Sequence, residues 1–383
     1  MTHKARAQPG SHPGRACRDE GDRTLKLLLL KFLAKALGMD PLMAENALRL
    51  FRNDLVLEKR TTWKEKLWAY RRGVISGRIP DYRLDEANHR DYLSDWAYFR
   101  LFPLNGTGYS DWIDDKLTTR QVLDKYRQYL PACYFSIRKG TVQPSLDQTG
   151  EGLAALLRVI QEKGPLAFKK AAGSFGKGFY KVAAGDGGYL VNDRTFTAEE
   201  LAEFVRTLDG YLVTEFIRPH PAIATIYPKA ANAIRLMVIK EEDQPAFLAN
   251  AIIRFATDQS GGRDNAATGI IAAVLDPLTG AYEKGCLITA EGLRQVDHHP
   301  DTGSRIGGAI PGWPAMVELV LEMADYLDHL SWLGFDIVVT DSGFKLLEIN
   351  SHQNIRSFQY FHPLLKGNPA SDFLNGKLLR KAP

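Results

Sequence analysis

The sequence predicts an α+β fold with more than one core. Three observations carry this. Short β-branched runs alternate with helix-periodic segments, but irregularly, which argues against a doubly wound parallel sheet. A glycine-rich stretch, Lys169–Gly178 (KKAAGSFGKG), joins two strand-like runs. Near the C-terminus, Gly334–Asn354 (GFDIVVTDSGFKLLEINSHQN) reads as a β-hairpin with acceptor side chains set into apolar strands. At 383 residues the chain is long enough for two or three packed domains. Its 45% hydrophobic and 25% charged content is that of a globular protein, and a net charge of +4 implies no nucleic-acid surface. The three cysteines, Cys17, Cys133 and Cys286, fit neither a disulfide framework nor a zinc site, which suits a reducing cytoplasm. No apolar run is long enough to cross a membrane, and residues 1–23 lack the apolar centre of a secretory signal.

Residues 1–23, rich in Pro, Gly and charge, read as a disordered tail whose five basic residues are solvated or touch an acidic partner. Residues 24–112 read as a helical N-terminal region. Thr24–Leu37 has helical periodicity and stops at Gly38, and Asp40-Pro41 starts a second helix to about Asn53. Leu55–Gly73 and Asp81–Phe102 continue as helices, and Pro103–Asp111 is a loop. Ile113–Leu130 is a helix ended by Pro131, Ile137–Gln143 a strand, and Glu151–Lys163 an amphipathic helix. Leu166–Lys170 and Phe179–Ala183 are strands flanking the glycine loop. Thr197 and Glu200 form a capping box for a helix to Leu208. Tyr211–Ile217 is a strand broken by Arg218-Pro219-His220-Pro221. Strands follow at Ala233–Lys240, Ala246–Arg254 and Gly269–Leu275, then a Pro277–Gly280 turn and a helix over Trp313–Leu330. Residues 113–216 are thus one lobe and 217–383 a second.

In the hairpin, Glu348 and Asn350 are two apart and share a face. Asp336 joins that face only with the right register. A three-residue turn (Asp341, Ser342, Gly343) pairs Asp336 with Glu348; a two-residue turn sets Asp336 opposite Ile349. An odd turn is therefore expected. It brings three hard oxygen donors within roughly 5 Å, which suits Mg²⁺. The bland alternative is an exposed edge with solvated acids. The glycine loop is neither a Walker A loop nor a dinucleotide fingerprint, since no Gly-Lys-Ser/Thr is present and a strand follows. It is either a glycine hairpin over phosphates, with Lys169 or Lys177 supplying charge, or a plain flexible hairpin. Thr214–Ile217 is either a hinge that packs adenine or an edge strand. His298-His299-Pro300-Asp301 reads as a solvated loop.

The order of these pieces resembles the ATP-grasp superfamily, and in particular the sugar-transfer-associated ATP-grasp family, over roughly Asp114–Asn354. The resemblance implies two α+β lobes clamping ATP, preceded here by the helical region. It implies Lys116 and Lys169 on the α- and β-phosphates, Gly173, Ser174, Phe175, Gly176, Lys177 and Gly178 as the lid, and Thr214, Glu215, Phe216 and Ile217 as the adenine hinge. Arg235 would steady the transferred phosphate, with Lys169 catalytic beside it. Asp336, Glu348 and Asn350 would hold Mg²⁺. His352, Asn354 and Arg356, with Ser351 and Gln353 between them, are acceptor-site candidates, and the alternative for Arg356 is a salt bridge. Relatives mostly have proline where this chain has Lys170, and no acid is in place to hold the ribose. The function implied is an ADP-forming ligase that joins a carboxylic acid to an amine through an acyl phosphate, on a small metabolite, peptide or cell-surface sugar precursor. A kinase acting on a hydroxyl and a nucleotide-binding regulator are the alternatives. Neither nucleic acid nor membrane insertion is expected, and a homodimer stays open.

Overall fold

The computed structural model describes residues 40–173, 178–192, 194–266 and 268–380. The tail over 1–23, the helix expected over Thr24–Leu37, and Ser174, Phe175, Gly176 and Lys177 lie outside them. The chain divides into two compact units. The first, built from residues 1–79, 94–103 and 376–383, is helical where described. It contains α1 (Pro41–Leu57), α2 (Trp63–Tyr70) and α3 (Asp95–Leu101). The helix expected over Leu55–Gly73 is interrupted, because Thr62 and Glu65 form a capping box that starts α2 afresh. Ala44, Ala47 and Phe99 form its small core.

The second unit, residues 80–93 and 104–375, is α+β. The expected loop at Pro103–Asp111 is instead a 3₁₀ turn and then α4 (Thr107–Asp114). The helix expected over Ile113–Leu130 breaks at Asp115, whose carboxylate leaves the helix to cap α5 (Lys116–Val122) by accepting Thr118 N–H at 2.8 Å. Seven strands follow: β1 (Cys133–Arg138), β2 (Thr141–Pro144), β3 (Leu166–Lys170), β4 (Tyr180–Gly185), β5 (Gly188–Val191), β6 (Arg194–Phe196) and β7 (Tyr211–Glu215). They form one sheet in the order β2-β1-β7-β3-β4-β5-β6, antiparallel throughout. The single strand expected at Ile137–Gln143 is a hairpin turning at Lys139 and Gly140, both with positive φ. Helices α6 (Gly152–Lys163) and α7 (Ala198–Arg206) cover the sheet, with Leu156, Ile160, Leu201 and Val205 against Phe135, Phe168 and Val213. The Thr197–Glu200 capping box makes both of its hydrogen bonds.

The remaining strands are β8 (Ile234–Ile239), β9 (Phe247–Phe255), β10 (Ile270–Val274), β11 (Ala281–Tyr282), β12 (Gly285–Thr289), β13 (Gly292–Val296), β14 (Gly308–Ala309), β15 (Trp332–Thr340) and β16 (Gly343–Asn350). All but β11 and β14 form a second antiparallel sheet, β13-β12-β10-β9-β8-β15-β16. Helix α8 (Trp313–Tyr326) packs Trp313, Met316, Val320 and Met323 on its back face. Each such side chain contributes about 1.5–3 kcal/mol by leaving water. The turn before it needs Gly280: φ is +68°, and a Cβ there would lie 2.5 Å from the Trp313 ring. Period-2 alternation sends Arg235, Arg254 and Asp336 to the opposite, front face.

Candidate active site

The hairpin β15–β16 brings its acids together by a different route from the one expected. Its turn has two residues, Asp341 and Ser342, with Thr340 opposite Gly343. Gly343 takes φ +128°, open to glycine and rarely to other residues. Continued straight, this register would pass Ile337–Leu346 and set Asp336 against Leu347. The ladder instead shifts by one residue there, leaving Leu347 as a bulge, and Asp336 faces Glu348. The odd turn is thus corrected to an even turn plus a bulge. The predicted pairing of the two carboxylates holds.

Asp336 is 4% exposed. Arg235 Nε and Nη2 donate to its two oxygens at 2.6 Å each, and Arg254 Nη2 donates to Oδ1 at 2.9 Å. Burial pushes the Asp336 carboxyl up, but the Arg235 and Arg254 charges outweigh it and hold the group well below the carboxylate range. Arg235 is therefore already committed to a carboxylate. Arg254 had no signal in the sequence: it sits in an apolar strand, 82 residues from its partner. Asp264, half-buried beside Arg254, is raised by its partial desolvation and accepts Ala233 N–H at 2.6 Å.

Glu348 lies nearer solvent. Lys116 Nζ meets its Oε2 at 2.9 Å and also donates to Gly173 O at 3.1 Å. Lys116, Lys169, Thr214 and Glu348 line one pocket, with Leu212 and Leu346. Lys169 is lowered to about 8, first by burial and then by the Lys116 charge, with Glu348 opposing. A cleft of ≈ 380 Å³ adjoins, lined by Gly173, Lys116, Glu348, Asn350, Asp114 and His352. Asn350 Nδ2 donates to Gly334 O at 3.4 Å, which turns Oδ1 into its remaining acceptor.

Two directly opposed carboxylates and an amide oxygen are hard ligands of the kind Mg²⁺ takes. Asp336 has spent three lone-pair sites on arginines and keeps about one, enough for a single bond. Among the described residues no three His, Cys, Asp or Glu side chains are placed to hold a metal, so the set reaches three donors only through Asn350. On this chemistry the residues fit the ion.

The hinge and acceptor candidates are more dispersed. Glu215 accepts Ala132 N–H at 3.2 Å and faces Lys345 at 3.6 Å. Lys181 stands over the Phe216 ring at 5.0 Å, and Ile217 is half-buried. A Cβ on Gly178, at φ +74°, would lie 2.6 Å from the Tyr211 hydroxyl. Asn354 accepts Arg356 N–H at 3.1 Å as the N-cap of α9 (Ile355–Gln359), and Arg356 pairs with buried Asp81 at 3.2 Å. The salt-bridge alternative for Arg356 is the one observed. Ser351 donates through N–H and Oγ to Asp114, each at 2.8 Å, and Ser351 Oγ meets His352 Nδ1 at 2.8 Å. Burial would raise the Asp114 carboxyl, but these partners hold it below its ordinary value. Gln353 is fully buried. His299 is 1% exposed, stacked on Tyr227, with Nε2 2.8 Å from Ala256 O. It is a core histidine, not a solvated one, because the stacking ring and this bond replace water.

Sequence reasoning also missed Asn105. Buried, it donates to Trp332 O (2.9 Å) and Ser351 O (2.8 Å) and accepts Ser331 N–H (2.8 Å), tying together the two outer ends of the hairpin.

Two antiparallel sheets supply a pocket that holds two lysines and one carboxylate. The profile of the sugar-transfer associated ATP-grasp family matches residues 102–363, and the chain belongs to that family. Among solved structures, D-alanyl-alanine synthetase A from Vibrio cholerae is similar at 13% identity and TM-score 0.41, over 70% of this chain and 65% of that one. An ADP complex of N5-carboxyaminoimidazole ribonucleotide synthetase is similar at 10% identity and TM-score 0.37, over 66% of this chain and 48% of that one. The chain thus spans about half to two thirds of the length of these two structures. No curated protein matches the sequence.

Proposed function

We propose that the protein is an ATP-dependent, ADP-forming ligase that joins a carboxylic acid to an amine through an acyl phosphate. The observation that carries the reading is the meeting of Lys116, Lys169 and Glu348 in one pocket, with Asp336 facing Glu348. Such a reaction needs charge neutralisation and in-line positioning more than proton chemistry. Lys116 and Lys169 neutralise the nucleotide phosphates. Asp336, Glu348 and Asn350 hold Mg²⁺, which when bound offsets phosphate charge. Arg235, held by Asp336 beside the pocket, is the residue that steadies the transferred phosphate. Gly173 and Gly178, which bound the glycine stretch, are assigned to the phosphates as the family resemblance implies, and Thr214–Ile217 receives the adenine. His352 is the acceptor-site residue kept from the sequence, since it lines the cleft; Asn354 and Arg356 are spent on a helix cap and on Asp81. The lobes at 113–216 and 217–383, a cytoplasmic setting and a small-metabolite, peptide or sugar-precursor substrate belong to this proposal.

The test is a panel of carboxylic acids with ATP, Mg²⁺ and hydroxylamine. Hydroxamate formed together with ADP is expected. Phosphate retained on a hydroxyl product, with no hydroxamate, would make the protein a kinase.

A further inference from the structure

The charge of this chain is unevenly placed. Residues 1–72 hold sixteen Lys and Arg against eight Asp and Glu, a net +8; residues 73–383 hold 33 against 37, a net −4. Residues 40–72, the described part of that stretch, hold eight Lys and Arg against five Asp and Glu, a net +3, and carry exposed apolar side chains. Of twelve large apolar side chains exposed among the described residues, six lie between Leu48 and Leu67. Trp63 is 74% exposed, Leu57 70%, Val56 57% and Leu67 53%. Buried Lys66 donates to Asp54 O, Leu55 O and Glu58 O at 2.9–3.1 Å and pins the end of α1 to α2. Trp63 and Leu67 are one turn apart on α2. Leu48, Arg52, Leu55 and Lys59 follow helical spacing on and just past α1. Exposed Arg49, Arg52, Lys59, Lys64 and Arg71 lie in the same stretch as the apolar residues, with exposed Glu45 among them.

We propose that this stretch of α1 and α2 docks on an anionic lipid surface, with Trp63, Leu67, Val56 and Leu57 entering the headgroup layer and these cations meeting lipid phosphates. Apolar side chains interspersed with Lys and Arg are what a bilayer interface accepts. A second copy would bring two patches of like charge together. A nucleic acid would use the cations but leave Trp63 and the leucines wet. Peripheral docking needs no spanning helix, and no described helix is long and apolar enough to be one.

The experiment is flotation of the full chain with phosphatidylcholine vesicles with and without phosphatidylglycerol, at low and high salt. Binding is expected only with the anionic lipid, weakening with salt. Removing cations by Arg49→Gln, Arg52→Gln and Lys64→Gln should cost roughly fivefold per site. Trp63→Ser with Leu67→Ser should cost at least tenfold. Both variants change exposed residues, so an unchanged melting curve separates lost docking from lost fold. Failure of the wild-type chain to float with anionic vesicles overturns the proposal. So does wild-type flotation by the Trp63/Leu67 variant, a vesicle-independent dimer that this variant abolishes, or duplex DNA binding that it retains.

Discussion

Two acid–base clusters share one hairpin and differ in solvation. Asp336, with Arg235 and Arg254, is buried on the front of the sheet. Glu348, with Lys116, faces Asp336 but opens on the cleft, its side chain 24% exposed. A buried pair is costly to break, because each partner left behind is a charge without water. A half-solvated pair exchanges partners cheaply. One arrangement therefore holds the site in place, and the other can release its lysine to an incoming phosphate.

Asp336→Asn should break the comparison most severely. It leaves two guanidinium groups uncompensated and should lower unfolding free energy by about 3–5 kcal/mol in denaturant titrations. A loss near zero would mean the cluster is wet. Glu348→Gln should separate the two clusters: stability changes by less than about 1 kcal/mol, while ATP turnover, followed by ADP release, is lost. Near-normal turnover in that variant would remove Glu348 from the metal set. The smallest effect concerns Lys169. Its folded value, about 8, lies below the ordinary lysine value of 10.5, so between these the unfolded chain binds more protons than the fold. Its contribution to stability therefore rises as pH rises through that window. The unfolding free energy of wild type minus that of Lys169→Met should climb from pH 8 to 10; a flat difference would return Lys169 to an ordinary lysine environment.

Legibility followed the range of the determining contact. The Thr197–Glu200 capping box spans three residues, and its residue types announce it. The β7 strand and the Asp336–Glu348 pairing were readable because the cues lie within one or two strands. Arg254 and Asn105 were not, since nothing in AIIRF or PLNG tells of partners in β15 and beyond β16. His299 was misread because polarity predicts solvation only when no ring covers it. The Lys139-Gly140 turn was missed because lysine is not a usual left-handed residue; Gly140 is required there, its would-be Cβ lying 2.6 Å from Arg206 O.

The bulge at Leu347 has a consequence for how this hairpin tolerates insertion and deletion. A two-residue turn with one bulged residue and a three-residue turn with none give the two carboxylates the same interval along the chain and the same partner across the ladder. The turn and the bulge both lie outside the ladder, so a residue added to the turn, or the loss of Leu347, leaves Asp336 and Glu348 facing each other. A residue inserted within the paired stretch Gly343–Leu346, and not bulged out, moves the lysine-bound carboxylate out of step with its neighbour.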